Sequence, residues 1–110
     1  SGGARERAST NSASADNIEK TELARERELI DAAQSALAHG RPNDALFALE
    51  RHATAFRFGN LAEEREALRV RSLVAAGREA EARDRAVQFE RDFPRSVLLA
   101  RVRAAVEAGK

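Results

Sequence analysis

A chain of 110 residues has the length of one ordinary domain with a single core, and 43% hydrophobic with 34% charged residues is a folded rather than a disordered balance. The absence of Cys, Met, Trp and Tyr removes disulfides, thiol catalysis, thiolate metal sites and most aromatic stacking platforms. With 19 basic against 18 acidic residues the net charge is +1, which supplies no field to steer nucleic acid or an anionic membrane, and the apolar runs are far shorter than a membrane span.

Residues 1–15, SGGARERASTNSASA, are small and polar with no periodic apolar position, and read as a disordered tail or linker. The Ser-Gly-Gly start without an initiator Met reads as a fragment or processed product of a longer protein. From Asp16 to Lys110 the pattern is helical and forms one domain, punctuated by Gly40-Arg41-Pro42-Asn43, Gly59-Asn60, Gly77 and Pro94. The first helix is expected from about Ile18 to His39, opened by an Asp16/Glu19 capping box and closed by Gly40. The second runs from about Asp44 to Phe56 with Asn43 as N-cap. The third spans about Leu61 to Ala76, with Asn60 and Glu63 as its capping box and Gly77 as its stop. The fourth covers about Glu79 to Asp92, and the fifth about Val97 to Ala108 after Pro94, with Ser96 as cap. Short connections make neighbouring helices antiparallel, and β-branched residues are too few for a sheet.

The chain repeats itself at an offset of 37 residues: Gly40 falls on Gly77, Ala45 on Ala82, Phe56 on Phe93, and Ile30, Ala33 and Leu37 on Ala67, Val70 and Val74. Leu61 falls on Leu98, so the fifth helix opens a third copy that stops after one helix. Each copy carries an apolar stripe too wide for one helix pair to bury alone, and stacking of neighbours hides it.

Gly40, Ala45, Leu49 and Phe56, with their copy Gly77, Ala82, Phe89, Phe93 and Pro94, resemble the tetratricopeptide repeat pattern: a turn glycine, a small residue five later, large apolar residues and a closing proline. The resemblance covers residues 25–108. It implies an all-α, right-handed stack of two helical hairpins plus a C-terminal capping helix. It also implies a non-catalytic module that binds a partner segment in the groove lined by helices one, three and five. A Ser-rich linker followed by a short Ala- and Arg-rich repeat unit is similar to bacterial envelope and signalling proteins.

No residue pattern points to catalysis. His39 and His52 are the only imidazoles and are too far apart to share a metal. His39 suits a helix C-terminus. His52 takes the repeat position of Phe89, so it is a partly buried residue of the packing face or a pH-sensitive contact. Glycines occur singly as helix stops, not as a phosphate loop, and no cofactor is implied. Only Lys20 and Lys110 among the basic residues are not arginine, and the arginines are interleaved with acids, as in Glu63-Glu64-Arg65-Glu66. Arginine nevertheless suits an acidic peptide partner. The groove residues expected from the resemblance are Arg27, Gln34, Arg65, Arg69 and Arg71. Phe58, in a corner where the second copy has Arg95, either covers the core or is exposed and marks a contact. The alternative function is self-association or a structural scaffold role through the open ends of the stack and the long first helix, whose Leu23, Ile30 and Leu37 are seven apart.

Overall fold

The computed structural model describes the backbone of residues 2–109 and the side chains of residues 14–109. Five helices follow one another: α1 (Gly2–Ala38), α2 (Pro42–Ala55), α3 (Ala62–Ala75), α4 (Glu79–Asp92) and α5 (Leu99–Ala108). Among the described residues there is no strand. The expected tail falls almost wholly outside the described side chains. The helix runs unbroken through Asp16, so the Asp16/Glu19 pair lies inside α1 rather than at its start. No Pro or Gly stands between Ala4 and Ala38 to stop it.

Each helix packs on the next, and α1 also touches α3 while α3 touches α5. The helix α3 therefore meets all four others, and it buries Arg65, Ala67, Leu68, Val70, Ser72 and Leu73 around its circumference. Two apolar clusters lie on either side of it. One joins Ile30, Ala33 and Ala36 of α1 to Ala45 and Leu49 of α2 and to Leu61 and Leu68. The other joins Ala67, Val70 and Leu73 to Ala82 and Phe89 of α4 and Val102 of α5. Ala45 and Ala82 are both fully buried, and their missing bulk lets each helix pair cross closely.

The 37-residue offset reappears as geometry. After α1, Gly40 takes φ 73°, Gly40 N–H bonds to Leu37 O and Arg41 N–H to Ala36 O. After α3, Gly77 takes φ 78°, with the same two bonds running to Val74 O and Leu73 O. Both are left-handed glycine stops that satisfy the last carbonyls of their helices. The corners after α2 and α4 match as well: Phe56 and Phe93 have φ −135° and −133°, and their N–H groups bond to His52 O and Phe89 O.

The caps are where expectation and structure part. Arg41 and Leu61, not Asn43 and Asn60, are the N-caps of α2 and α3, and neither forms a side-chain capping bond. Pro42 at the first turn of α2 needs no N–H partner, which starts that helix without a cap. The fifth helix begins at Leu99, and Ser96 Oγ accepts the N–H of Leu98 just before it.

Because no atom lies within 4 Å of a Cβ added at Gly40 or Gly77, only the positive φ penalises a side chain there. Gly40→Ala and Gly77→Ala are each expected to destabilise the fold by about 1–2 kcal/mol, nearly equally, as read from urea unfolding midpoints.

Candidate functional site

Two features stand out at the side-chain level: a buried polar corner where α1, α2 and α3 meet, and a groove along α1, α3 and α5. The corner is built on Glu26, which sits on the buried stripe of α1, four residues before Ile30 and seven before Ala33. Its carboxylate Oε1 accepts the Nε2–H of His52 at 3.0 Å and the N–H of Leu61 at 3.2 Å, while Oε2 accepts the N–H of Asn60 at 3.3 Å. Glu26 thus supplies the side-chain acceptor at the N-terminus of α3, where Glu63 and Glu64 stand in the first turn but no local side chain forms a capping bond.

Arg65 faces the same imidazole from the other side. Its Nη1–H donates to His52 Nδ1 at 3.2 Å and to the carbonyls of Phe56 at 3.3 Å and Arg57 at 3.5 Å, at the C-terminal end of α2. A guanidinium only donates, so Nδ1 of His52 must be the bare nitrogen, and the proton on Nε2 points to Glu26. The buried imidazole is therefore held neutral, in one tautomer. Burial pushes its pKa below the ordinary value; Arg65 acts in the same direction, and the hydrogen bond and charge of Glu26, with Glu66 beyond, oppose it. Gly59 completes the corner: a Cβ there would overlap the Glu26 carboxylate.

The groove, about 300 Å³, is lined by Gln34 of α1, by Glu63, Glu64, Ala67, Leu68 and Arg71 of α3, and by Val97, Leu98 and Arg101 at the start of α5. The buried Ala67 and Leu68 form an apolar floor, and the rim mixes charged side chains with Gln34 and the exposed Val97. Arg27 reaches Glu64 across α1 and α3 at 3.1 Å. Positions 27, 64 and 101 are equivalent under the repeat, so their signs alternate across the three helices.

Of the residues expected at the site, Gln34 and Arg71 line this groove and Arg27 stands at its edge through Glu64. Arg65 is buried in the corner just described. Arg69 lies on another face of α3, where Glu66 and Glu50 stand 3.7 Å from it and Arg85 of α4 also approaches Glu66. Phe58 is 91% exposed, with the Arg57 guanidinium 5.3 Å from its ring centroid, and borders a separate hollow with Phe93, Arg85 and Gln88. His52 is fully buried on the packing face of α2, and His39 is exposed with its Nδ1 2.7 Å from Ser35 O. Among the described residues no three His, Cys, Asp or Glu side chains gather as metal ligands.

The sequence alone does not point to Glu26, marks Gly59 only as a helix break, and offers Arg101 only as part of a candidate basic stripe rather than of the groove. A signal for the corner was present: the offset places His52 on Phe89 and Arg65 on Val102, and a carboxylate interrupts the apolar stripe of α1. Glu26→Ala would leave the His52 Nε2–H and two backbone N–H groups without their acceptor and is expected to cost about 3 kcal/mol or more. Glu64→Ala, which removes only the exposed pair with Arg27, is expected to cost under about 1 kcal/mol; thermal or urea unfolding of the two variants makes the comparison. Compared with protein-family models, with curated proteins and with solved structures, the chain has no match in any of the three.

Proposed function

We propose that this chain is a non-catalytic protein interaction module of tetratricopeptide-like type, which takes an extended acidic segment of a partner protein in the groove of α1, α3 and α5. The groove itself carries the reading. It runs over the first helix of each pair, has an apolar floor of Ala67, Leu68 and Leu98, and presents Arg71 and Arg101, neither of which has an ion-pair partner among the described residues. Two free guanidiniums beside apolar surface, with Glu63 and Glu64 on the same lining, suit a peptide that sets single carboxylates among apolar side chains. The duplicated turns at Gly40 and Gly77, and the contacts of α1 with α3 and α3 with α5, support two stacked hairpins followed by a capping helix.

A second reading rests on a separate observation. Residues 15–25 of α1 have no buried side chain, and Ile18 and Leu23 are 56% and 44% exposed. A helical segment of that length gains little stability alone, so packing against a second copy of the chain is the alternative role.

Titration with a panel of labelled acidic peptides is expected to give saturable binding that weakens with added salt. An Arg71→Ala, Arg101→Ala double variant is expected to lose about tenfold or more in affinity, and a variant at the distant Arg83 and Arg91 to lose none. Binding that ignores the Arg71 and Arg101 changes would overturn the placement. Sedimentation across a wide concentration range decides the second reading, since self-association through α1 requires a mass that rises above the 12.0 kDa of one chain.

A further inference from the structure

Two faces of α3 are joined to their neighbours by opposite chemistry at equivalent positions. At the second junction, where α3, α4 and α5 meet, Phe89 and Val102 are buried in an apolar cluster. At the first, where α1, α2 and α3 meet, the same repeat positions hold His52 and Arg65, with Glu26 closing the set. Only the first junction holds an imidazole.

We propose that the Glu26–His52–Arg65 corner is an acid-sensitive latch: proton uptake by His52 loosens the α1–α2 pair from α3, while α3, α4 and α5 stay packed.

The geometry gives the reason. The helix α2 packs on α1 and α3 only. The charged groups that face His52 from them are Glu26 of α1 and Arg65 and Glu66 of α3. A proton on Nδ1 turns the acceptor of the Arg65 bond into a donor and sets two cations 3.2 Å apart. Arg65 has little freedom to retreat: the same Nη1 holds the Phe56 and Arg57 carbonyls, and its Nε donates to Glu66 at 2.7 Å. The contact that fails is therefore the one between α2 and α3. The Glu26–His52 bond, within the α1–α2 pair, is strengthened by the same proton, so this pair separates as a unit.

The direction of the pH effect follows from burial, which holds the imidazole below its ordinary value in the closed state. As pH falls, the open form takes the proton first. The stability that His52 lends the corner is complete above about 6.5 and is lost as pH falls through the closed-state value, the open population rising by up to about tenfold per pH unit within that window. Opening would separate Gln34 from Arg71, so an occupant of the groove that bridges them favours the closed form.

Amide hydrogen exchange of the whole chain at about pH 7.5 and about pH 5.5, corrected for intrinsic rates, tests it. The amides of Asn60 and Leu61, which donate to Glu26, are expected to lose protection on acidification, and those of Phe93 and Val102 at the other junction to keep theirs. His52→Gln keeps a donor toward Glu26 and an acceptor toward Arg65 but has no proton to gain, and is expected to abolish the response; His39→Gln is expected to leave it intact. An equal response in His52→Gln, a loss of protection spread over both junctions, or no response in the natural sequence overturns the proposal. If His52→Gln does not fold, imidazole titration of the natural chain by NMR decides. Titration of His52 in step with exposure of Asn60 and Leu61 supports the latch, and titration with those amides still protected overturns it.

Discussion

Burial of one carboxylate organises the first half of this molecule. Glu26 is 3% exposed, and a carboxylate is removed from water only where donors replace the water it loses. Three such donors come from two other segments: the His52 ring of α2 and the Asn60 and Leu61 amides that lead into α3. Gly59 is glycine because the carboxylate occupies the space of a Cβ. Arg65 completes the arrangement with opposite charge at the opposite helix end, so the C-terminus of α2 meets a cation and the N-terminus of α3 an anion. The two helix dipoles are served by side chains that also fix how α1, α2 and α3 sit together.

The second half reaches the same geometry with an apolar filling and a local acceptor, Ser96 Oγ, for the Leu98 N–H. The corners at Phe56 and Phe93 have nearly the same backbone angles, yet one closes over His52 and Arg65 and the other over Phe89 and Val102. An apolar filling is therefore sufficient for this shape. A buried polar set in its place does not add stability as such; it makes the junction sensitive to proton uptake and intolerant of loss of any one member. The groove lies across both halves, with Gln34 supplied by α1, Arg71 by α3 and Arg101 by α5. Its shape depends on both junctions, one of which titrates.

The helices and their stops were legible because they are local. Gly40 and Gly77 announce left-handed stops, and the 37-residue offset aligns turns that prove to share hydrogen bonds, whereas Pro42, expected to precede its helix, opens it. Asn60 looked like a cap because the pattern that identifies caps sees only neighbours in sequence; the acceptor used is Glu26, 34 residues away, and no local rule reaches that far. The groove was half legible for a related reason. Helical spacing places Arg65, Arg69 and Arg71 along α3, but a helix touched by four others has more than one face in use. Arg65 is drawn inward by His52, Arg69 toward Glu66 and Glu50, and Arg71 alone of the three faces the groove. Phe58 was open between covering the core and standing exposed, and the corner leaves it outside.

The protonation pattern of the two imidazoles tests the corner most directly. His39 Nδ1 lies 2.7 Å from a carbonyl oxygen and must carry a proton to bond it, whereas His52 Nδ1 receives the Arg65 donor and must be bare. Long-range nitrogen–proton correlation spectra at about pH 7.5 distinguish the tautomers. His52 is expected as a single Nε2–H form and His39 with its proton on Nδ1. A His52 ring that averages between tautomers, or carries its proton on Nδ1, would contradict this assignment.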